Sequence, residues 1–440
     1  MRRAHQALLA CVVAATVAAI AAVVLLWPPS SPAPPSDDSG VTLSDGTLTA
    51  VERIAAADAA GLTPGAQTLE VTAQLADGRE VTFEMVDETG DTFAVGQRVR
   101  VAEAEGPDGG VTYYVNDIRR DGPLLALTVM FLVAVLAFGR WQGVRALIGL
   151  GFTLGVVVVF VVPAMLAGRD PVLVALSAAV VIMVATLYLT HGVRPKTTAA
   201  VVGTLVALAL TVGLSWGFIE LTSLTGLADE EARLASVQVG GLSLRGLLLA
   251  GIIIGALGVL DDVTMSQAST VFQLRHADPL SSVGRLFSAA MTVGRDHVAA
   301  TINTLFLAYA GASLPLLILF STSPDALPVI VSSEIVAVEI VRTLVGSIGL
   351  MASVPVTTAL AAWLARDRAV DVSVGDGDED APAGRRAAAD PDGLAPVAPR
   401  TEVRSPFVPD AEELDWERRL RQSYGLRQPD RPPLADQERQ

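Results

Sequence analysis

Residues 144–167 read VRALIGLGFTLGVVVVFVVPAMLA, a run of 24 residues in which Arg145 is the only charged side chain. A helix of about 20 apolar residues spans the roughly 30 Å hydrocarbon core of a bilayer. This run is therefore predicted to cross a membrane as a helix, and it gives the pattern by which the rest of the chain can be read.

Seven further apolar runs flank this stretch, and the mean hydropathy of the whole chain is +0.50. They lie at 1–27, 123–139, 172–190, 197–220, 246–260, 298–320 and 335–365. The run at 246–260 is short, so its helix is expected to continue past Asp261. The predicted fold class is an all-α polytopic membrane bundle of about eight transmembrane helices, seven of them within residues 123–365. Its main partner is the lipid bilayer.

The first run, residues 1–27, begins with Arg2 and Arg3 and lacks a convincing A-x-A cleavage site after its apolar stretch. We interpret it as an uncleaved N-terminal transmembrane anchor, a cleaved signal peptide being the alternative. Residues 28–40 form a Pro/Ser linker that is too poor in apolar side chains to fold by itself.

Residues 41–122 are predicted to form β-strands. Apolar and polar side chains alternate on both sides of Asp77-Gly78, a strong hairpin signal, and a second hairpin is predicted over 98–118. Such short strands indicate a small extracytoplasmic β-barrel-like domain of five or six strands, similar to an OB or SH3-like barrel. It is either a folded spacer or the binding domain for an extracytoplasmic protein partner.

Charge separates the chain into regions. The formal net charge of −15 resides almost wholly in residues 28–122, with 17 acidic and 6 basic side chains, and residues 366–440, with 17 and 12. This acidic balance excludes a nucleic-acid partner. Residues 366–440 are rich in Pro, Ala, Asp and Arg, and are expected to be a disordered acidic cytoplasmic tail.

Basic residues near the helix ends predict the orientation, because cytoplasmic connections carry an excess of Arg and Lys. If the N-terminus lies on the cytoplasmic side of a bacterial plasma membrane, nine basic residues near the helix ends are cytoplasmic as well. They are Arg140, Arg145, Arg194, Lys196, Arg275, Arg285, Arg295, Arg366 and Arg368. Both termini are then cytoplasmic, and residues 28–122 lie outside.

Polar side chains inside or beside the apolar runs are the candidate functional residues, because a bilayer makes them costly. Asp261 and Asp262 end the short run at 246–260. Asp296, His297 and Asn303 form a polar stripe entering the next run, either an ion path or a set of interhelical hydrogen bonds. Glu339 and Arg342 are three residues apart and can pair on one helix face, either as a structural ion pair or as a proton-coupled switch.

Small residues and prolines also stand out in the apolar runs. Gly251, Gly255 and Gly258 form a small-residue face that is predicted to let another helix approach closely. Pro163, Pro315 and Pro355 are expected to kink or locally unwind their helices.

Several kinds of site are missing from the sequence. Cys11 is the single cysteine, which excludes an intrachain disulfide and a cysteine-based metal cluster. No Walker loop, dinucleotide fingerprint, H-E-x-x-H or G-x-S-x-G motif is present. The sequence therefore predicts no cofactor and no enzymatic activity, and leaves a metal site open.

Five motifs together resemble the YibE/F family of bacterial membrane proteins. They are Thr190-His191-Gly192, GALGVLDDVTMSQAS at 255–269, GRDHVAATINTL at 294–305, AYAGASLPL at 308–316 and SEIVAVEIVRTLVGSIGL at 333–350. The resemblance covers residues 120–365. It implies a multi-pass membrane architecture and supplies no active-site residues.

Three functions fit these observations. The preferred one is a permease or an ion or small-solute translocation component, because carboxylates, a polar stripe and prolines lie within the membrane runs. The second is a non-transporting scaffold or envelope-assembly factor. The third and least favoured is a membrane enzyme holding a divalent metal with Asp261, Asp262, Asp296 and His297.

The eight-helix topology makes a direct prediction. Reporter fusions should read residues 41–122 and 220–245 as extracytoplasmic, and residues 261–297 and 366–440 as cytoplasmic, because the basic residues follow that division. A reporter at residue 280 that reads as extracytoplasmic would overturn the topology.

Overall fold

A computed structural model describes residues 2–28, 41–56, 67–87, 92–105, 110–324 and 326–366. Most of the predicted linker and all of the predicted tail beyond residue 366 lie outside this described part. The helices are α1 (Arg2–Leu26), α2 (Asp121–Val156), α3 (Val162–Leu166), α4 (Pro171–His191), α5 (Pro195–Leu221), α6 (Glu230–Val239), α7 (Leu244–Ala277), α8 (Val283–Ala312), α9 (Leu314–Ser321), α10 (Leu327–Ser332) and α11 (Glu334–Ala365). A π-helical turn, Val157–Val161, joins α2 to α3.

The β region is one antiparallel sheet. Its strands are β1 (Val41–Ala56), β2 (Gln67–Leu75), β3 (Glu80–Asp87), β4 (Arg98–Glu105) and β5 (Val111–Ile118), in the order β3-β2-β1-β4-β5. The long strand β1 pairs with β4 through its first half and with β2 through its second. The edge strands β3 and β5 contact each other, so the sheet curls. Both predicted hairpins are confirmed, and the expected barrel is a five-stranded curled sheet.

The turn between β2 and β3 shows why Asp77-Gly78 makes a hairpin. Gly78 has φ +89°, which is unfavourable for residues with a Cβ. Asp77 accepts hydrogen bonds from the backbone N–H of Arg79 at 2.9 Å and from its Nε at 2.6 Å. These two bonds hold the pKa of Asp77 below its usual value. Arg79 also reaches Glu103 on β4, 3.1 Å away, and so links the turn to the other half of the sheet.

Within the described part, six helices are long and apolar enough to cross a membrane, and the bent pair α8–α9 makes seven if it counts as one span. This pair bends by 65°, and Pro315 lies in the first turn of α9. Pro163 follows the π-helical turn, whereas α11 continues through Pro355 as one helix. Local unwinding, one of the two expected effects of a proline, is therefore absent at Pro355, and a kink there stays a prediction.

The segment Asp121–Leu166 contains a sharp break. Arg140 has φ +48° and ψ −125°, which are not helical values. A Cβ placed on Gly143 would overlap the carbonyl oxygen of Val135. Residues eight apart in a straight helix are about 12 Å apart along its axis. The chain therefore turns back at Arg140, between the two apolar runs that the sequence places at 123–139 and 144–167.

Helices α7 and α8 differ from the predicted spans. Helix α7 continues sixteen residues past Asp261, as expected from the shortness of its apolar run. Helix α8 begins at Val283, fifteen residues before its apolar run, because its first half is amphipathic. Residues 261–297 are therefore helical on both sides of a short turn rather than an open connection. Arg295 and Asp296 lie well inside α8.

Helices α5 and α11 pack closely through reciprocal glycine–threonine contacts. A Cβ on Gly203 of α5 would overlap Thr357 of α11, and a Cβ on Gly349 of α11 would overlap Thr211 of α5. Between the two contacts the residue number rises by eight on α5 and falls by eight on α11. The two helices are therefore antiparallel, and small residues allow their backbones to approach.

Helix α7 is held against both members of this pair by buried hydrogen bonds. The hydroxyl groups of Thr204 on α5 and Thr264 on α7 lie 2.6 Å apart. Gln267 of α7 donates from Nε2 to Thr358 Oγ1 of α11 at 2.7 Å and to the Ala290 carbonyl of α8 at 2.9 Å. Polar side chains thus join four helices in the most buried part of the bundle.

One end of the helix bundle is rich in arginine. The buried Arg275 donates from Nε to the Ala365 carbonyl at 3.1 Å, from Nη2 to the Arg366 carbonyl at 2.7 Å, and from Nη1 to the Ser281 carbonyl. It therefore satisfies the last carbonyl groups of α11 and fastens them to the α7–α8 turn. We call this the arginine-rich end; it also holds the α4–α5 connection with Arg194 and Lys196.

The opposite end is closed by Glu334, the first residue of α11. Its carboxylate accepts hydrogen bonds from the backbone N–H groups of Thr225 and Gly226, both at 2.6 Å, and from the Thr225 hydroxyl. Gly226 has φ +79°, and a Cβ there would approach the Leu244 carbonyl to 2.7 Å. Only glycine fits this position, where the connection after α5 docks on the starts of α7 and α11.

The glycine–threonine packing predicts the effect of adding one methyl group. Gly203→Ala and Gly349→Ala should each lower the free energy of unfolding by about 1–3 kcal/mol, because the new Cβ forces α5 and α11 apart. Gly213→Ala on α5 and Gly346→Ala on α11 are matched controls, since no described heavy atom lies within 4 Å of the added Cβ. Thermal unfolding in detergent measures the difference. Equal melting temperatures for Gly203→Ala and Gly213→Ala would contradict this packing.

Candidate functional site along helix α7

The glycines predicted to bring another helix close to α7 line open space instead. No described heavy atom lies within 4 Å of a Cβ placed on Gly251 or Gly258, and only the Tyr309 hydroxyl reaches 4.0 Å from that of Gly255. The structure therefore does not place these three glycines at a close helix contact. Gly251, Ile254, Gly258 and Asp261 follow one another at steps of three or four residues, so they share one face of α7.

Two cavities adjoin at Asp261, and we call them together the Asp261 chamber. Their volumes are about 310 and 160 Å³. Thr186, Thr190, Gly258 and Asp261 line both of them. The larger one extends toward α2, and the smaller one reaches His191 and Asp262. The chamber thus lies among α2, α4 and α7.

The Asp261 side chain is incompletely satisfied. Its Oδ1 atom is buried and has no hydrogen-bond partner among the described residues. An unpaired carboxylate oxygen in a membrane helix is costly, and such groups typically mark ion or proton pathways. Asp262, the next residue, is exposed. The two adjacent carboxylates therefore lie in different surroundings, as their angular separation of about 100° on a helix requires.

Threonine oxygens surround the chamber. The Thr186 hydroxyl donates to the Ile182 carbonyl at 2.8 Å, and the Thr153 hydroxyl donates to the Gly149 carbonyl at 3.0 Å. Each hydroxyl group thus donates to the backbone of its own helix, and Thr186 also lies within hydrogen-bonding reach of the Asp261 carboxylate. The oxygen lone pairs remain able to accept a hydrogen bond or to coordinate a cation. With Asp261 they give the chamber an acceptor-rich wall.

Sequence reasoning missed these threonines and the position of His191. Thr186 and Thr190 are four residues apart in a mostly apolar helix, a spacing that places two hydroxyl groups on one face. In the sequence, Thr190 and His191 stand out only as part of a family motif. Their proximity to Asp261 depends on how α4 packs against α7, which the sequence does not show.

Glu339 and Arg342 lie in a second cavity, of about 530 Å³, which we call the Glu339 chamber. The pair anticipated from their i, i+3 spacing forms: Arg342 Nη1 donates to Glu339 Oε1 at 2.9 Å. Leu247, Gly251 and Ile254 of α7 form the facing wall. Ile254 lines the Asp261 chamber as well. Ile254 therefore borders both chambers.

The remaining predicted residues lie on α8, apart from both chambers. Asp296 and Asn303 are on its exposed face, and His297 is half-buried with an Nε2 that lacks a hydrogen-bond partner. The buried face of α8 consists instead of Leu286, Ala290, Gly294 and Val298. The structure thus divides the seven predicted polar residues among the Asp261 chamber, the Glu339 chamber and the face of α8.

The described residues contain no group of three or more His, Cys, Asp or Glu side chains placed to hold a metal ion. The set proposed for a divalent metal joins two residues of α7 with two of α8. Asp262 and Asp296 are both exposed. The chamber that holds Asp261 offers one carboxylate and several neutral oxygens, which suits a proton or a monovalent cation better than a divalent ion.

The six or seven long apolar helices of the described part define a membrane protein. Residues 127–367, more than half of the chain, match the model of the YibE/F-like protein family. The chain therefore belongs to this family, and the resemblance seen in its sequence motifs is confirmed. No curated protein and no solved structure gives a significant match to the chain.

Proposed function

We propose that this protein is a permease or an ion or small-solute translocation component. The observation that carries the proposal is the buried, unpaired Oδ1 of Asp261 beside a chamber that shares the lining residue Ile254 with a second chamber. About 15 Å of α7 separates Gly251 in the Glu339 chamber from Asp261, which is half of a hydrocarbon core. A solute moving along this face would change chambers by passing one side chain.

Asp261 is the proposed site of a proton or a monovalent cation. Either one would neutralise the carboxylate and satisfy its unpaired oxygen, which removes the cost of a charge in the membrane. The buried Oδ1 favours a proton, because a hydrated cation would need more room at that atom. Threonine oxygens on α2 and α4 would accept a hydrogen bond from the protonated carboxyl group.

The proposed topology has eight crossings. The segment Asp121–Leu166 has 46 residues, about twice the length that one crossing needs, and it turns back at Arg140. Counting it as two crossings and α8–α9 as one gives eight with α1. The arginine-rich end would face the cytoplasm of a bacterial plasma membrane. Both termini then lie inside, and the β-sheet domain lies outside, where a protein partner could reach it.

Two carboxylate-to-amide variants test the proposed path. Purified protein in liposomes should pass protons or Na⁺, and Asp261→Asn should reduce that flux by about tenfold or more, because an amide neither exchanges a proton nor balances a cation. Asp296→Asn is the control, since Asp296 lies on the exposed face of α8 and should leave flux unchanged. Asp261→Asn should also melt no lower than wild type, because it removes a buried unpaired charge.

Two results would count against the proposal. The first is no proton or Na⁺ flux from wild-type protein across a broad range of gradients, which would favour the membrane scaffold. The second is equal flux from wild type and Asp261→Asn. Loss of flux in Asp296→Asn with full activity in Asp261→Asn would move the path to the polar face of α8.

A further inference from the structure

The Glu339 chamber has the size and lining of a site for an organic molecule. Its volume of about 530 Å³ lies within the usual range for ligand pockets, and such pockets combine an apolar wall with a few polar groups. The wall is formed mainly by aliphatic side chains of α7 and α11 and by the bend between α8 and α9. Asp229, an exposed residue whose Oδ1 accepts a hydrogen bond from the Ala232 backbone N–H at the start of α6, also lines the chamber. Gly226, whose backbone N–H donates to Glu334, lines the chamber at the end of the bundle opposite the arginine-rich end.

Both side chains of the Glu339–Arg342 ion pair keep polar atoms that have no hydrogen-bond partner among the described residues. Arg342 Nη1 donates to Glu339 Oε1, and neither Glu339 Oε2 nor Arg342 Nη2 has a hydrogen-bond partner among the described residues. Arg342 Nε is buried and likewise unpaired. Both side chains keep about 30% of their surface exposed. One free acceptor and one free donor of opposite charge therefore lie side by side.

Such a pair is complementary to a ligand that carries both charges. An ammonium group would donate to Glu339 Oε2, and a carboxylate or phosphate would accept from Arg342, each as a charge-assisted hydrogen bond. A ligand with one charge would satisfy one side of the pair and leave the other as it is. The aliphatic wall requires that the rest of the ligand be apolar.

We propose that the Glu339 chamber binds an apolar zwitterion, a molecule with an ammonium group and an anionic group at one end of a hydrocarbon body. Free apolar amino acids and the zwitterionic headgroup region of phosphatidylethanolamine share this chemistry. The inference rests on the proposed function, for which the chamber would be the substrate site at one end of the path. It names the substrate class that the path along α7 carries.

Analogues of leucine that lack either the carboxylate or the amino group test the two charges separately. Leucine, 3-methylbutylamine and 4-methylpentanoate are titrated onto the full-length protein in detergent by calorimetry. If the natural ligand is a free amino acid, leucine should bind at least about tenfold more tightly than either analogue. Each analogue loses one charge-assisted hydrogen bond. Glu339→Gln should remove most of the preference for leucine over 4-methylpentanoate, which lacks the amino group.

A cavity-filling variant tests the location. Gly251→Leu places a side chain in the chamber without a clash at Cβ and should abolish binding, whereas Gly346→Leu on α11 is outside the chamber and should not. A lipid ligand is tested with the protein in nanodiscs of phosphatidylethanolamine or of phosphatidylglycerol. Native mass spectrometry counts the lipid molecules that stay bound to the protein. Retention of phosphatidylethanolamine that Gly251→Leu abolishes would identify a lipid headgroup as the source.

The inference is overturned if wild-type protein binds neither leucine nor phosphatidylethanolamine in preference to its singly charged counterpart. It is equally overturned if binding survives in both Gly251→Leu and Glu339→Gln. These measurements use no gradient, so their failure is distinct from a failure of proton or Na⁺ flux. Flux that depends on Asp261, without zwitterion binding, would retain the translocation function and reject this substrate class.

Discussion

The close approach of α5 and α11 is the constraint on which the rest of the bundle depends. Lipid tails are as apolar as leucine side chains, so transmembrane helices gain little from burying hydrocarbon and associate through close packing and hydrogen bonds. Gly203 against Thr357 and Gly349 against Thr211 provide that packing at two points of one helix pair. Gln267 then attaches α7 to α11 and to the backbone of α8. Small residues and buried hydrogen bonds therefore hold the centre of the bundle together.

Space elsewhere in the bundle follows from this arrangement. Helix α7 packs against α5 and α11 through Thr264 and Gln267. Its glycine-bearing face borders the two chambers, one toward α2 and α4 and the other toward the beginning of α11. Because glycine has no side chain, Gly251 and Gly258 leave space for the chambers beside α7, and Ile254 is the bulky residue between them. The same residue type thus has two roles: on α5 and α11 glycine brings backbones together, and on α7 it leaves chambers that contain Asp261 and the Glu339–Arg342 pair.

Local patterns in the sequence predict much of this fold, and non-local packing accounts for what they miss. Apolar runs locate most of the helices, Asp77-Gly78 locates a hairpin, and i, i+3 spacing anticipates the Glu339–Arg342 pair, because each depends on neighbours in the chain. The early start of α8 is hidden because only one face of its first half is apolar. The sequence of one helix does not show which other helix packs against its glycines. The close glycine-mediated contact was therefore predicted for α7, whereas the structure has it between α5 and α11. The threonines around Asp261 belong to other helices and were missed for the same reason.

Cysteine labelling on α7 tests whether the face that carries Gly251, Ile254 and Asp261 lines a water-accessible path. The single cysteine, Cys11, is first replaced by serine, and one cysteine is then introduced at Ile254 or at its neighbour Ile253, which is fully buried against the core. Each protein in liposomes is treated with a charged, membrane-impermeant thiol reagent and analysed by mass spectrometry. If this face of α7 lines a path, Ile254→Cys is modified and Ile253→Cys is not. Equal lack of reaction at both positions would contradict it.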